Sequence, residues 1–341
     1  MKVLVVGGSA FFGVDIVNAL LKIKADVTVL NRGNHTQDYI GKVTHLRADR
    51  TNLQELKQVL KGQSFDILID NIAFNAADVR QLVSSLDSRV GHYILTSTCA
   101  VYHDHGAFDM PVKEENASAE DPDVGLLQKR YGLSPVGVAG YPEGVFAYGR
   151  DKLAAEHEVM ASGIHYTILR LPNVMGPRDT SQRITFYLSR LLDEQPLILT
   201  NGGLQLLQPV FSFDVAKAYV TSATSPQAVN QVFNLAQHIA FRLVDWLLLC
   251  CQELGRTPRF VSIPEQVLDA RLKEYGENAT FTSPFLMNTE KARLKLGFKP
   301  TPVEIWTKTI TDWFKTVGPV DMPDREREVR FANDYLSKVE F

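Results

Sequence analysis

No apolar run in these 341 residues approaches the roughly 20 that a membrane-spanning helix needs, so no membrane segment is expected. Charge of one sign is missing too: 36 Lys and Arg stand against 39 Asp and Glu, a net of −3, with no clustered basic stretch. That removes the electrostatic reason to expect nucleic acid or an anionic membrane as a partner. Cysteine is scarce. Cys99, Cys250 and Cys251 are an odd number, two of them adjacent in the apolar run Trp246 to Cys251, which fits buried reduced thiols of a cytoplasmic protein and not a disulfide framework. Internal repeats and low-complexity tracts are absent, and Val3 to Val6 runs straight into glycines with no small-residue cleavage site, so no secretory leader is expected. What is present is a globular composition, 45% hydrophobic and 22% charged, enough for one large or two moderate domains.

Lys2 to Val6 is a short β-branched run bounded by glycine, which predicts a strand buried on both faces of a parallel sheet. It feeds Gly7-Gly8-Ser9-Ala10-Phe11-Phe12-Gly13, and Val14 to Lys24 then carries apolar residues at helical spacing. Strand, glycine turn and helix together predict a dinucleotide site. Gly7 would permit the tight turn, Gly8 the approach of backbone to a pyrophosphate, and Gly13 close packing of helix on strand, with the helix N-terminus facing the anion. Ser9, Phe11 and Phe12 fall in the same turn and are expected cofactor contacts.

Asp26 to Leu30 reads as a second strand, and the residues at its end bear on the choice of cofactor. A carboxylate there would accept hydrogen bonds from the ribose 2′-hydroxyl of NAD; this chain has Asn31-Arg32-Gly33, an amide followed by a guanidinium, which favours the 2′-phosphate of NADP. NADP is therefore the expected cofactor and NAD the alternative, Arg32 being otherwise an exposed loop arginine. Val43 to Ala48 is a third strand ending in Asp49-Arg50, where the aspartate would bond the adenine amino group or cap the helix Asn52 to Lys61. Phe65 to Asp70 makes a fourth strand, and the small and polar residues after it, Asn71 and Ala73 among them, would lie along the cofactor. His92 to Leu95 is a fifth, ending in Thr96-Ser97-Thr98-Cys99-Ala100-Val101-Tyr102. Alternating strands and helices at this spacing imply an α/β fold, a Rossmann-type doubly wound parallel sheet, with ligands at the carboxyl ends of the strands.

Tyr148 and Lys152 stand four positions apart before a helical run, which puts a phenol and an ammonium on one helix face. Lowering a tyrosine from about 10 to about 7 takes roughly 4 kcal/mol of preference for the phenolate. One cation at about 4 Å in an effective dielectric near 20 supplies about that much. The pair is thus a candidate proton-transfer centre.

The glycine turn, Asp49 after the third strand, Thr-Ser-Thr-x-x-Val-Tyr after the fifth and Tyr-x-x-x-Lys beyond it resemble the extended short-chain dehydrogenase/reductases, more narrowly the NAD-dependent epimerase/dehydratase group. The resemblance continues through Leu169 to Pro177, Phe213 to Ala216 and Glu290 to Pro300. It implies Thr98, Tyr148 and Lys152 as the catalytic residues: Tyr148 exchanging a proton with the substrate hydroxyl, Lys152 binding the nicotinamide ribose and lowering the Tyr148 pKa, and Thr98, with Ser97 beside it, bonding the reacting oxygen. It implies that Asn173 contacts a substrate phosphate, and that the assembly is a homodimer. The domains expected are residues 1–172 for the cofactor, with a return segment at about 208–236, and a smaller substrate-binding domain over 173–341.

Departures from the family pattern narrow the reading. Ala10 replaces the second glycine of Gly-x-x-Gly-x-x-Gly, and with Asn31-Arg32-Gly33 and Asp49-Arg50 this looks like the atypical branch that includes chloroplast stem-loop RNA-binding relatives. Thr98 and Tyr148 stand 50 positions apart, a wider spacing than sugar epimerases usually have. The extra chain lies in His103 to Val145. Pro111 and Glu114 resemble the Pro-x-x-Glu after the fifth strand, which puts the insertion between about Ala119 and Glu143; with Tyr131, Tyr141 and Phe146 it reads as a substrate lid. His103-Asp104-His105 has no companion ligands at suitable spacing, so no metal is expected. Leu207 stands where sugar-nucleotide members carry an arginine for the diphosphate, which argues against a nucleotide-diphosphate sugar. Arg178, with Gln182 and Arg183, would meet an anionic small-molecule substrate or lie solvated on a helix. Helices are further expected over Ala147 to Ser162, Phe213 to Ala223, Leu243 to Leu254, from Pro264, Pro302 to Thr316 and Pro323 to Val339, the last presenting Arg325 to Glu328 as a solvated charged face.

Overall fold

Valine and leucine without a polar interruption make β1 (Lys2–Val6) a strand covered on both sides, and alternation along it sorts two cores. Val3 and Val5 pack with Ile16, Val17, Leu20, Val215 and Tyr219, whereas Leu4 and Val6 pack with Leu56, Val79, Leu82, Ala155 and Val159. Side chains of successive strand residues point to opposite faces, so one apolar run serves two helical layers. In a computed structural model that describes residues 1–34, 39–86, 90–102, 110–117, 143–264, 267–268, 286–322 and 324–338, the chain clusters into two units. The first comprises Met1–Val174, Val210–His238 and Phe285–Pro300; the second comprises Met175–Pro209, Ile239–Pro284 and Thr301–Phe341.

In the first unit β1 is joined by β2 (Asp26–Asn31), β3 (Thr44–Arg47), β4 (Ile67–Asp70), β5 (His92–Thr98), β6 (His165–Leu171) and the strand Gln231–Asn234. They form a seven-stranded sheet in the order β3-β2-β1-β4-β5-β6 followed by Gln231–Asn234, and every pair is parallel. The order reverses between β1 and β4, the topological switch point at which doubly wound sheets bind ligands. The Rossmann-type sheet expected from the sequence is therefore the observed fold. Around it lie α1 (Phe12–Lys22), α2 (Leu53–Leu60), α3 (Ala76–Ser84), α4 (Glu143–Ala161) and the helix Ser212–Thr224, with α1 against Ser212–Thr224 and α3 against α4.

Three boundaries differ from expectation for identifiable reasons. Helix α1 starts at Phe12, two residues early, so Gly13 lies inside its first turn. Strand β5 runs on to Thr98 because Thr96, Ser97 and Thr98 pair with Leu169, Arg170 and Leu171 of β6; hydroxyl residues continue a ladder as readily as apolar ones. Helix α3, which the sequence reading passed over, is started by Asn75, whose side chain accepts from Asp78 N–H.

In the second unit the strands Leu197–Thr200 and Phe260–Ile263 pair in parallel. The helix Leu243–Leu254 packs on the helix Val303–Val317, with the Trp246 and Trp306 rings 6.3 Å apart. Cys250 and Cys251 are buried and unbridged, as expected. The solvated face expected at Arg325 to Glu328 is instead half inward. Arg325 and Glu328 are buried, Glu328 receiving Arg190 at 2.6 Å and Arg325 at 3.0 Å, and Arg325 also holding Asp193 at 2.6 Å. Two arginines and two carboxylates on facing helices neutralise one another, which periodicity of charge alone does not reveal. No described helix is long and apolar enough to cross a membrane. The helix expected from Pro264 falls largely outside the described residues.

Candidate active site

The turn at the end of β1 is built by what its glycines lack. Gly7 has φ +86°, and a Cβ on it would stand 2.6 Å from Ile72. A Cβ on Gly13 would stand 2.4 Å from the Gly7 carbonyl oxygen, so the first turn of α1 lies directly on the loop. At Gly8 the empty place faces Val17, Val5 and Val29, which makes core packing a further reason for glycine there. Phe11 sits at the helix start with φ 45°, and no side chain caps the helix. The positive end of the helix dipole is thereby left to an anion, and this cradle fits a dinucleotide pyrophosphate. Ser9 is buried, and Phe11 and Phe12 are half-buried with their rings edge to face at 5.3 Å.

At the end of β2 the Asn31 side chain accepts the Gly33 N–H at 2.7 Å, closing the turn that carries the exposed Arg32. Across from it, in register with Asn31, Arg47 donates to the Arg32 carbonyl at 2.9 Å. Asp49 follows; hydrogen bonds from the Thr51 backbone and hydroxyl hold its carboxyl below the usual range, with the Arg32 charge helping. Arg50, grouped with Asp49 among the expected cofactor contacts, is committed elsewhere. It is 8% exposed and makes a two-pronged pair with Asp70 at 2.7 and 3.0 Å, while Tyr93 donates to the same carboxylate at 2.6 Å. Buried and paired with Asp70, it ties the chain after β3 to the carboxyl end of β4 instead of reaching out to a ligand.

The catalytic candidates meet above β5. The Thr98 hydroxyl lies near enough to the Tyr148 phenol to act on its pKa, and Tyr148 is 38% exposed. One turn further along α4, Lys152 is buried to 3% exposure, its ammonium donating to the carbonyls of Ala73 at 2.7 Å and of Thr96 and lying 5.9 Å from the centre of the Phe74 ring. The helix comes this close because Gly149 faces the Ala100 carbonyl, from which a Cβ would stand only 2.3 Å away. Burial lowers Lys152 to about 8, against the pull of Asp70 and Glu156. Burial pushes the Tyr148 phenol up, and the Thr98 hydroxyl is what draws it back. The expected lowering of Tyr148 by Lys152 is thus not what this structure gives: the ammonium is spent on the Ala73 and Thr96 carbonyls, and burial governs the phenol.

Ser97, expected beside Thr98 at the substrate, is withdrawn. Alternation along β5 turns it away from Thr96 and Thr98, and its hydroxyl bonds Glu156 of α4. Glu156 holds Arg170 of β6 through two contacts at 3.0 and 2.6 Å, and Arg170 continues to the Tyr102 hydroxyl at 2.9 Å and the Glu114 carbonyl at 2.7 Å. This largely buried network locks α4 to β5 and β6, and the sequence reading missed it because its members are scattered from Ser97 to Arg170, 73 positions apart. Asn71, expected along the cofactor, donates to the Gly7 carbonyl at 3.2 Å.

The chain is similar to known proteins in sequence and in fold. Residues 140–236 match the model of the NAD dependent epimerase/dehydratase family. Over that span the chain is similar to the family. The matched residues take in Tyr148, Lys152, Glu156, Arg170 and Asn173. A chloroplast stem-loop binding protein of 41 kDa from Arabidopsis thaliana is 24% identical over 318 residues, 88% of this chain and 75% of that one. A putative UDP-glucose 4-epimerase of Methanocaldococcus jannaschii is 24% identical over 269 residues, 70% of this chain and 83% of its own length. Among solved structures, UDP-glucose 4-epimerase with UDP-glucose from Thermotoga maritima has the same fold, with a TM-score of 0.70 at 18% identity over 93% of this chain and 99% of that one.

The remaining expected residues lie further along. Asn173 is half-buried just beyond β6, its carbonyl accepting from Val210 N–H at 3.0 Å. Arg178 belongs to the second unit and has φ 65°. Leu207 is buried and paired with Phe241, so no cation replaces the missing arginine at that position. The insertion between about Ala119 and Glu143, with Tyr131 and Tyr141, and the His103-Asp104-His105 segment lie outside the described residues. Among the described residues no group of histidine, cysteine and carboxylate side chains is arranged to hold a metal.

Proposed function

We propose that the chain is a nicotinamide-dependent enzyme of the short-chain dehydrogenase/reductase type, interconverting carbinol and carbonyl on a sugar-like or other small hydroxylated substrate. Thr98, Tyr148 and Lys152 carry the chemistry and NADP is the cofactor. The observation that supports this most is the gathering of Thr98, the Tyr148 phenol and, one helical turn on, the buried Lys152 ammonium at the carboxyl end of β5. When bound, the nicotinamide supplies the carbon that takes or returns hydride. The protein's part is the proton: a phenol pushed up by burial keeps its hydrogen at neutral pH and donates it to a developing alkoxide, while the Thr98 hydroxyl orients the same oxygen. Lys152 spends two N–H groups on Ala73 and Thr96 and has a third for a ribose hydroxyl. Reduction, oxidation and epimerisation differ only in whether the hydride leaves with the cofactor or returns to the same carbon.

Arg32, exposed at the end of β2 where no carboxylate stands, supports NADP over NAD. Asn173 and Arg178 are the proposed substrate contacts, residues 173–341 apart from the return segment at about 208–236 the proposed recognition domain, and a cytoplasmic homodimer the proposed form. Tyr148→Phe should abolish turnover of a carbonyl or hydroxyl substrate while leaving NADPH affinity near wild type; undiminished turnover would overturn the assignment. A second reading, binding of structured RNA, is favoured by the name of the Arabidopsis relative, which aligns over most of the chain. It predicts retention of stem-loop RNA that weakens steeply with salt, against which the net charge of −3 weighs.

A further inference from the structure

Beneath the proposed cofactor site runs a line of hydrogen bonds whose direction is fixed by the chemistry of its members. The Gly7 carbonyl can only accept, so the Asn71 group that meets it at 3.2 Å is the amide NH₂. The Asn71 oxygen therefore faces the other way, where it accepts the Thr96 hydroxyl at 2.7 Å. With its hydrogen committed, Thr96 has only lone pairs for the Tyr219 hydroxyl, which bonds it from the helix Ser212–Thr224. Tyr219 must then donate, and its complete burial, which raises the phenol's pKa, keeps it protonated for that task.

One end of this line and its middle touch what the cofactor would need. At one end Gly7 is the hinge of the phosphate turn, and the missing side chain of Gly13 leaves room for the Gly7 oxygen and for the Asn71 amide, 2.4 and 3.2 Å from where a Cβ would stand. At the middle, Thr96 is also the residue whose backbone carbonyl receives the Lys152 ammonium. The side chain of Thr96 thus answers to the turn and its backbone to the lysine. None of the Asn71, Thr96 and Tyr219 side chains carries the proton in the proposed reaction.

We propose that Tyr219, Thr96 and Asn71 form a directional positioning relay that fixes the phosphate turn and the Lys152 ammonium relative to each other, and so sets dinucleotide affinity. The proposal rests on the cofactor reading above. In a serial relay, cutting any link releases the whole, so the effects of two cuts do not multiply; independent packing roles would add in free energy. Fluorescence titration of NADPH into the full-length protein tests this with Tyr219→Phe, Thr96→Val, the double variant and Thr96→Ser, and thermal melting is recorded alongside.

Each single cut should raise the NADPH dissociation constant about tenfold, the scale of one buried hydrogen bond. The double variant should be no weaker than the worse single, and Thr96→Ser, which keeps the hydroxyl, should bind like wild type. Melting temperatures lowered with NADPH affinity unchanged would show a purely structural role and overturn the relay, as would single effects that multiply in the double variant. If Thr96→Val does not fold, Tyr219→Phe and Thr96→Ser decide the matter by the same contrast. Wild-type protein that binds no dinucleotide would bring down the cofactor reading and the relay together; wild-type binding matched by every variant would bring down the relay alone.

Discussion

Replacing Lys152 with methionine should uncouple stability from alkaline pH. A free lysine titrates near 10.5, and burial lowers Lys152 to about 8. Between those values the unfolded chain carries a proton that the folded protein has released, so the wild type gains stability as pH rises through that window, and below it bears the full cost of a buried charge. At about 1.4 kcal/mol per unit the cost at pH 7 is about 3 kcal/mol, most of it relieved by pH 10. Methionine removes this cost but leaves the Ala73 and Thr96 carbonyls without their donor, at about 1–3 kcal/mol for each unsatisfied group. The two effects roughly offset at pH 7, so the variant should there be close to or somewhat below wild type. At pH 10 it should fall behind by about a further 2–3 kcal/mol, because only the wild type has gained. Urea unfolding at both pH values, followed by tryptophan fluorescence, measures this, and groups that titrate in both proteins cancel in the comparison. Parallel pH profiles for the two proteins would refute the reasoning.

Gly149→Ala should cost about 1–3 kcal/mol and most of the turnover, since a methyl 2.3 Å from the Ala100 carbonyl must push α4 off β5 and carry Tyr148 with it; melting and steady-state assays check both. Glu156→Gln should be more damaging to stability, about 3–5 kcal/mol by denaturant unfolding, because it leaves the Arg170 guanidinium buried without its counter-charge. Arg32→Ala should weaken NADPH binding about tenfold by removing one charge-assisted bond and leave NADH binding unchanged. Tighter binding of NADH than of NADPH by the wild type would reverse the cofactor choice.

The parts of the fold legible in the sequence are those written in short-range pattern. The run Lys2 to Val6 gave β1 to the residue, and Gly7 and Gly13 announced a turn whose tightness the structure explains atom by atom. Tyr148 and Lys152 were findable because four residues of helix bring side chains to one face. What pattern does not carry is commitment of a polar group to a distant partner. Ser97 and Thr98 are neighbours with nearly the same chemistry, yet one is sunk against Glu156 and the other meets Tyr148, a difference made by the strand's alternation and by a helix more than forty residues on. Arg50 looked like Arg32 until Asp70 claimed it. Arg325 and Glu328 looked solvated until Arg190 and Asp193 were found opposite them.

The first unit is assembled from three separate stretches of chain, and that ordering has a consequence for how the protein is made. Thr96 leaves the ribosome 123 residues ahead of Tyr219, roughly 10 s at ordinary elongation rates, and Ala292 and Leu296, which close the same core, follow later still. From the completion of β6 at Leu171 until Gln231 is added 60 residues later, β6 has no Gln231–Asn234 strand beside it, and its open edge is a template for wrong pairing. The proposed catalytic side chains are thus synthesised well before the structure that steadies them. A fragment ending at residue 174 would carry every residue of the Thr-Tyr-Lys centre yet lack a sheet edge and a helical layer, so its failure to bind a dinucleotide would say nothing against the site.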